Sequence, residues 1–570
     1  MNRTAELIEV ARGLKPADLI LSNARVVNVF NGEIEKGNVA IYGSLIAGIG
    51  DYHLALEIID IKGKYVLPGL INGHTHVESS MLDIEQYASA VVPHGTLGVV
   101  TDLHEIANVS GISGIDYILG ASRRLPFEFF VMAPSCVPAT HLETSGFSLD
   151  GETIRRLLRS REVIGLGEMM NYPGVLYGDQ GVMEKIATSG GKPIDGHAPG
   201  LNGFDLNAYI SSGISSDHEC VSLPEAREKL SRGMYVMIRE GSSEKNLEAL
   251  LPLVTDLTYK RCLFVVDDRS CTDLLCDGDI DAVVRKAIGL GLEPVRAIQM
   301  ATINAAERFS LKQIGAVAPG YRANLIVTDD LNRFEAGVVF HRGRLVARNG
   351  HPSFKPATIS RRRLENTFMV KPFGIEALRL KTSDETFPVI ELIPDQIITR
   401  RLKLRVMHDK NGYVQTDVER DLLKAVVVER HKASGNIGRG IVKGFGLKHG
   451  ALASSVAHDS HNIVAVGTND TDILIAVKEV ISMHGGLAIA EGGRILASLP
   501  LPVAGLMSDR PLVEVAENFA RVEEAAQELG CVLAAPFATL SFLALPVIPE
   551  LRLTDLGLVD VNTFKIVDPE

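Results

Sequence analysis

The chain has 570 residues, too long for one ordinary domain, so a large domain with one or two smaller ones is expected. Hydrophobic residues make up 46% and charged residues 22%, the profile of a globular protein with ample core and not of a disordered one. The formal net charge of −12 argues against a surface built for nucleic acid or anionic membrane, so any nucleic-acid-related ligand would be a free small molecule.

The opening MNRTAELIEVARGLKPADLI has no apolar run followed by a small-residue cleavage site, so no secretory signal is expected. From Ala17 to about Lys64 apolar and polar residues alternate, as in ARVVNVF and GNVAIYG, with turns at Asn31-Gly32 and Gly50-Asp51. That pattern predicts short antiparallel strands. The rhythm then changes to short apolar runs with polar endings, separated by helical stretches. Eight such runs are present: YVLPGLINGH, LGVVTD, FEFFVMAPS, VIGLGE, KPIDGH, ISSDHE, MYVMIRE and CLFVVDD. Eight is the number that closes a parallel barrel, with helices such as DIDAVVRKAIGLG packed outside.

After Phe309, IGAVAPGYRANLIVTDDL and VVFHRGRLVARNG again read as strands. They are expected to rejoin the N-terminal strands in one small β-sandwich, with the barrel as an insertion. A basic stretch, SRRRLEN, then leads into a separate α+β region. The expected layout is a sandwich from 1–65 and 313–352, a (β/α)₈ barrel over 66–312, and a C-terminal α+β domain over 353–570. The apolar stretch from Leu540 to Leu553 is interrupted by Pro546 and Pro549 and reads as packed core, not a membrane span. Cys136, Cys220, Cys262, Cys271, Cys276 and Cys531 form no CxxC pair, which suits a reducing compartment, the cytoplasm.

The run endings carry the chemistry. His74, Asp102, Ser135, Glu168, His197, His218, Arg239 and Asp267 all fall at or just past a strand's C-terminal end, where a barrel gathers its catalytic groups. His74 and His76, two residues apart, share a face and can grip one divalent ion. Glu168 can bridge two cations with its two oxygens, His197 and His218 supply imidazoles for a second ion, and Asp267 offers a proton-shuttling carboxylate. In this order the six form a binuclear hydrolase pattern. The competing reading, ion-paired carboxylates and satisfied core histidines, leaves their shared placement unexplained.

Here the text resembles the amidohydrolase superfamily and, within it, the bacterial adenine deaminase family. The resemblance rests on LPGLINGHTHVESSM, DLHEIANVSG, APSCVPAT, GLGEMMNYPGV, DGHAPGLNG, LNAYISSGISSDHE, VMIREGS and TINAAERFSL. It continues in AHDSHNI, EGGRILASLPLPVAGLMSD and TLSFLALPVIPELRLTDLGLVD, so it covers nearly the whole chain. Leu103, Val266 and Asn324 stand where Pro, Thr and Asp are expected, and none of these replaces a proposed ligand.

The resemblance implies hydrolytic deamination of adenine to hypoxanthine and ammonia, in purine salvage. Two divalent ions are implied, manganese first and iron or zinc as alternatives, one held by His74 and His76 and the other by His197 and His218. Glu168 would bridge them, and Asp267 would touch a metal and take the proton of the attacking water. Water and adenine are the small-molecule partners, and a homodimer is the expected assembly. Glu78, Ser79, Ser80, Asp102, His104, Glu105 and Arg239 are expected to contact the base or to support the ligands from behind. For Arg239-Glu240 a buried ion pair is an equal expectation. Asp268 is expected to leave the opposite face of its strand end as a structural residue. His458, Asp459 and His461 look like a ligand set but lack a barrel strand, so a structural or interface role is expected. Two rivals stand beside this reading. Cyclic-amide hydrolysis shares the metal logic but uses a lysine where Glu168 stands, and a non-catalytic barrel would have no reason to keep six buried ionisable groups.

Overall fold

The computed structural model describes residues 3–355, 360–394 and 396–567. After a helix, Arg3–Ala11, come β1 (Ala17–Val27), β2 (Ile34–Tyr42), β3 (Leu45–Gly50), β4 (Ala55–Asp60) and β5 (Tyr65–Pro68). The Asn31-Gly32 turn uses a left-handed glycine at φ 81°, a conformation free of the Cβ clash. After eight further strands the chain returns to this sheet with β14 (Leu325–Thr328), β15 (Val338–His341), β16 (Arg344–Arg348) and β17 (His351–Pro352). Ile326 pairs with Leu67, so the two segments that flank the middle of the chain form one nine-stranded sheet. A bridge between Leu45 and Arg322 curls its β3 edge back toward the chain entering β14. Leu21, Val26, Ile41, Val66, Leu325 and Phe340 fill the inside of that curl.

The middle of the chain holds β6 (Leu70–Thr75), β7 (Thr96–Asp102), β8 (Glu128–Ala133), β9 (Val163–Met169), β10 (Ile194–Gly196), β11 (Ser216–Asp217), β12 (Tyr235–Arg239) and β13 (Cys262–Val265). All pair in parallel, in a five-stranded sheet (β10-β9-β8-β7-β6) and a three-stranded one (β11-β12-β13). Backbone bonds join their edges: Asp267 N–H donates to His74 O at 3.1 Å, and Ser215 N–H to Ile194 O at 3.4 Å. Ile71, Val100, Met132, Met237 and Val265, from strands of both sheets, share one apolar cluster with Phe309. Each of the eight predicted runs contains one of these strands. The first differs in detail, because Gly69 divides it: Tyr65–Pro68 belongs to the flanking sheet and only Leu70 onward joins the parallel set. A Cβ at Gly69 would lie 2.7 Å from Leu97, so the crossing point leaves no room for a side chain.

The C-terminal region is a second α/β layer. Its eight-stranded sheet includes Leu423–Val428 and Ile463–Gly467 near the centre. The helix Asp470–Ser482 buries Ile473, Ala476, Val477 and Val480 in the same apolar cluster as that sheet, an i, i+3, i+4, i+7 stripe, and Asn469 caps its first turn. This region docks beside the parallel strands' C-terminal ends. Arg361 pairs with Asp83 and Glu85, Ser508 N–H donates to Met81 O at 2.8 Å, and Asn462 Nδ2 donates to Thr144 O at 2.8 Å. Among the described residues no helix is long and apolar enough to cross a membrane.

The flanking sheet grips the parallel strands through Glu128, a buried residue that starts β8 and faces Arg322, His341 and Arg342. Burial pushes its carboxyl up, but hydrogen bonds from His341 and Arg342 and the charge of Arg322 hold it well below the usual range. A depressed carboxylate contributes stability above the ordinary glutamate value of about 4.3 and loses it as the pH falls further. Glu128→Gln should therefore cost about 2 kcal/mol at pH 7, less than for a fully buried pair because Arg342 is half exposed. The deficit should shrink in acid. Denaturant melts of both proteins at pH 7 and near pH 3.5 check this, and equal stability at pH 7 would contradict it.

Candidate active site

Because the strands are parallel, their C-terminal ends lie together. His74 sits within β6 and His76 just past it, Glu168 lies near the end of β9, and His197 and His218 follow β10 and β11. Arg239 ends β12, and Asp267 lies two residues beyond β13. All seven are buried.

Glu168 is the centre. Its Oε1 lies 3.1 Å from His76 Nε2 and 3.7 Å from His74 Nε2. Its Oε2 lies 2.8 Å from His197 Nδ1 and 3.4 Å from His218 Nε2. One carboxylate thus faces two histidine pairs, His74 and His76 on one oxygen and His197 and His218 on the other, with His104 also bordering Oε1. Asp267 Oδ1 stands 3.3 Å from His74 Nε2 and 3.2 Å from His76 Nε2, while its Oδ2 accepts from Arg239 Nη1 at 2.7 Å. Burial opposes ionisation of Glu168 and Asp267, yet the surrounding histidines, and Arg239 beside Asp267, hold both carboxyls well below the usual range. Burial likewise opposes the charged form of His76 and His218, and the carboxylates around them hold both well above the ordinary histidine value.

A layer of acceptors orients these rings. His76 Nδ1 donates to the carbonyl oxygen of Asp102 at 3.0 Å, which leaves its Nε2 lone pair aimed at Glu168 and Asp267. His74 Nδ1 contacts Asp195 Oδ2 at 3.1 Å with the same effect. Asp102 Oδ2 accepts the backbone N–H of Glu168 at 3.0 Å. Among the described residues, buried ring nitrogens without a hydrogen-bond partner include His74 Nε2, and His197 Nε2 and His218 Nδ1, the nitrogens opposite those that meet Glu168. The donor atoms of His74, His76 and Glu168, of Glu168, His197 and His218, and of His74, His218 and Asp267 form groups within 4.8 Å of one another. Buried imidazoles with unused lone pairs around shared carboxylates are a donor set that fits divalent cations.

Comparison with known proteins agrees. Residues 65–358 match the amidohydrolase family, and residues 396–565 match the adenine deaminase C-terminal domain. An adenine deaminase of Dehalococcoides mccartyi is 63% identical over 566 residues, 99% of each chain. Adenine deaminase 2 of Carboxydothermus hydrogenoformans is 50% identical over 568 residues, 100% of this chain and 99% of that one. The chain belongs to the adenine deaminase family. Among solved structures, a β-aspartyl dipeptidase of Fervidobacterium islandicum AW-1 aligns with a TM-score of 0.47 at 18% identity, over 59% of this chain and 98% of that one.

Within this adenine deaminase-family chain the remaining expected residues divide. Ser79 donates to Asp268, and His104 Nδ1 lies 3.6 Å from Glu168 Oε1, so both border the cluster. Glu78 Oε1 accepts the N–H of Ile106 at 3.1 Å, and burial together with Glu105 pushes its carboxyl up to about 7. Ser80 does not reach the cluster: its hydroxyl donates to Val77 O at 2.6 Å and closes a local turn. Arg239 is held behind Asp267 by Glu219, with Nη1 and Nη2 donating at 2.6 and 3.1 Å, so it takes the ion-pair role.

One expectation needs correction. Asp268 does not leave the opposite face, because Asp267 adopts a left-handed φ of 60° and ends the strict alternation of β13. Asp268 turns instead toward Ser79 and His458. His458 and His461, expected in a structural or interface role, both contact Glu105, His458 with Nδ1 2.6 Å from Oε1. Sequence reasoning missed Asp195 and Glu219, although each lies within two residues of a proposed histidine ligand, Asp195 in β10 and Glu219 just after β11. The His458–Glu105 contact spans hundreds of residues and had no local signal.

Asp267→Asn keeps the shape but cannot take a proton at neutral pH, so it should retain most bound metal while turnover falls by about a hundredfold or more. His76→Ala, which removes an imidazole, should lose metal and activity together. Metal analysis beside ammonia release distinguishes the two, and near-normal turnover in Asp267→Asn would show that another group moves the proton.

Proposed function

We propose that this chain hydrolyses adenine to hypoxanthine and ammonia, and the observation that carries the reading is the sharing of Glu168 among four imidazoles. Family membership over the full length supports the substrate. In this reading the two parallel sheets are arcs of one (β/α)₈ barrel over 66–312, supported by their joined edges and common apolar interior. The barrel is inserted between sandwich halves 1–65 and 313–352 and followed by an α+β domain over 353–570.

His74 and His76 would hold one cation, His197 and His218 a second, and Glu168 would lie between them. A pair of such ions, manganese first and iron or zinc as alternatives, lowers the pKa of bound water from 15.7 toward ~7. Asp267 then serves as base. The surrounding histidines and Arg239 keep it ionised, and Arg239 fixes one of its oxygens, so the other, turned toward His74 and His76, would accept the proton of the water that attacks C6. As the new C–O bond forms, Asp267 passes that proton to the ring nitrogen beside C6; it then takes the second proton, from the new C6 hydroxyl, and delivers it to the amino group, because NH₂⁻ is too basic to depart unprotonated. The C6–N bond breaks, ammonia leaves, and Asp267 is ionised again. Asp195 and the Asp102 carbonyl keep the His74 and His76 rings turned inward throughout. Six free cysteines support a reducing cytoplasmic setting, and the homodimer rests on the family resemblance.

Metal-reconstituted protein should release ammonia from adenine, and release it poorly or not at all from adenosine and cytosine. Faster release from adenosine than from adenine at matched concentrations would overturn the substrate assignment.

A further inference from the structure

A cavity lies between the ends of the parallel strands and the C-terminal region. Its two ends differ in chemistry. Ser79 and Asp268, from loops after β6 and β13, line it together with His458, and Asp268 is the chain neighbour of the proposed base Asp267. Elsewhere it is lined by Phe519, Phe537 and Phe542, all from the C-terminal region. Aromatic faces with a few placed polar groups are the composition of a pocket for a flat heteroaromatic ring with a polar edge.

His458 joins the two ends. Its Nδ1 lies 2.6 Å from Glu105 Oε1 and its Nε2 3.7 Å from Asp268 Oδ2. Its ring stacks on Phe542, with centroids 4.6 Å apart and planes at 21°. Its backbone N–H donates to Ser541 Oγ at 3.1 Å, which pins it to the helix Pro536–Phe542. Phe542 is therefore held in place by a side chain that also touches two carboxylates bordering the metal-ligand cluster.

We propose that the C-terminal region forms the base-binding wall of the active site, with Phe542 as a specificity-determining residue that holds the purine ring by stacking. The barrel loops supply the reacting groups, and the C-terminal region supplies the surface against which the substrate lies. This deepens the adenine-hydrolysing reading and rests on it. A flat base gains from a ring face whatever its edge pattern, so losing the ring should act on binding and leave the proton-moving residues untouched.

The test uses the full, metal-reconstituted chain as wild type, Phe542→Leu and Phe542→Tyr. Leucine keeps apolar bulk without a ring, and tyrosine keeps the ring. Phe542→Leu should raise KM for adenine about tenfold or more with a much smaller change in kcat and unchanged metal content. Phe542→Tyr should stay within about threefold of wild type, a rescue that a merely space-filling role would not produce. A Phe542→Leu protein with wild-type KM would overturn the proposal. A crystal of the wild type with hypoxanthine needs no variant: a base stacked against Phe542 supports the assignment, and one lying clear of every C-terminal residue overturns it. Failure of the wild type to deaminate adenine at all would instead sink the underlying reading, so the two failures are distinguishable.

Discussion

A carboxylate taken out of water is unfavourable by several kcal/mol unless opposite charge and hydrogen bonds surround it. Glu168, at 2% exposure, is such a group, and imidazoles from three different strand ends meet it, His74 and His76 from β6, His197 after β10 and His218 after β11. None of those rings reaches Glu168 unless β6, β9, β10 and β11 run in the same direction and end at the same level. The cluster is thus a constraint on the fold as much as a product of it. It also ties protons to metal: His76 and His218 hold their protons well above the ordinary range, and a cation entering the same space displaces them. Metal affinity at this site should rise with pH for that reason.

The orienting acceptors show how the arrangement is kept. His76 is aimed by a backbone carbonyl, which cannot be altered by a side-chain substitution, whereas His74 depends on the Asp195 carboxylate. Asp102 serves twice, its carbonyl oxygen holding His76 and its carboxylate holding the Glu168 backbone. Arg239 pairs with Asp267 and Glu219 at once, so one guanidinium ties two buried carboxylates together. The C-terminal region enters the same network through Glu105, which meets His458 and His461. The parallel-strand region and the C-terminal region therefore share buried charge.

Much of this was legible because strand ends advertise themselves. An apolar run that stops at His, Glu or Asp is readable from one line of text, and His74, His76, Glu168, His197, His218 and Asp267 all met where those runs end. The strands before and after the parallel set were legible from their alternation, but not all their pairing: β4 and β5 lie parallel to β1, not antiparallel as expected, and the union in one sheet comes from β5 pairing with β14. What was not legible is equally physical. The alternation rule assumes extended backbone, and the left-handed turn at Asp267 breaks it, so Asp268 faced the wrong way on paper. Ser80 looked like its neighbours in the text, but its hydroxyl was taken by Val77. His458 reached Glu105 only through the docking of two separately folded layers, a contact no local spacing encodes.

The central claim is that Glu168 stands between two cations held by separate histidine pairs. Anomalous diffraction from crystals of the metal-reconstituted protein tests it most directly. Two peaks should appear on either side of the Glu168 carboxylate, one at about 2.0–2.2 Å from His74 and His76 nitrogens and the other equally close to those of His197 and His218. A single peak, or a pair in which Glu168 touches only one ion, would contradict the account.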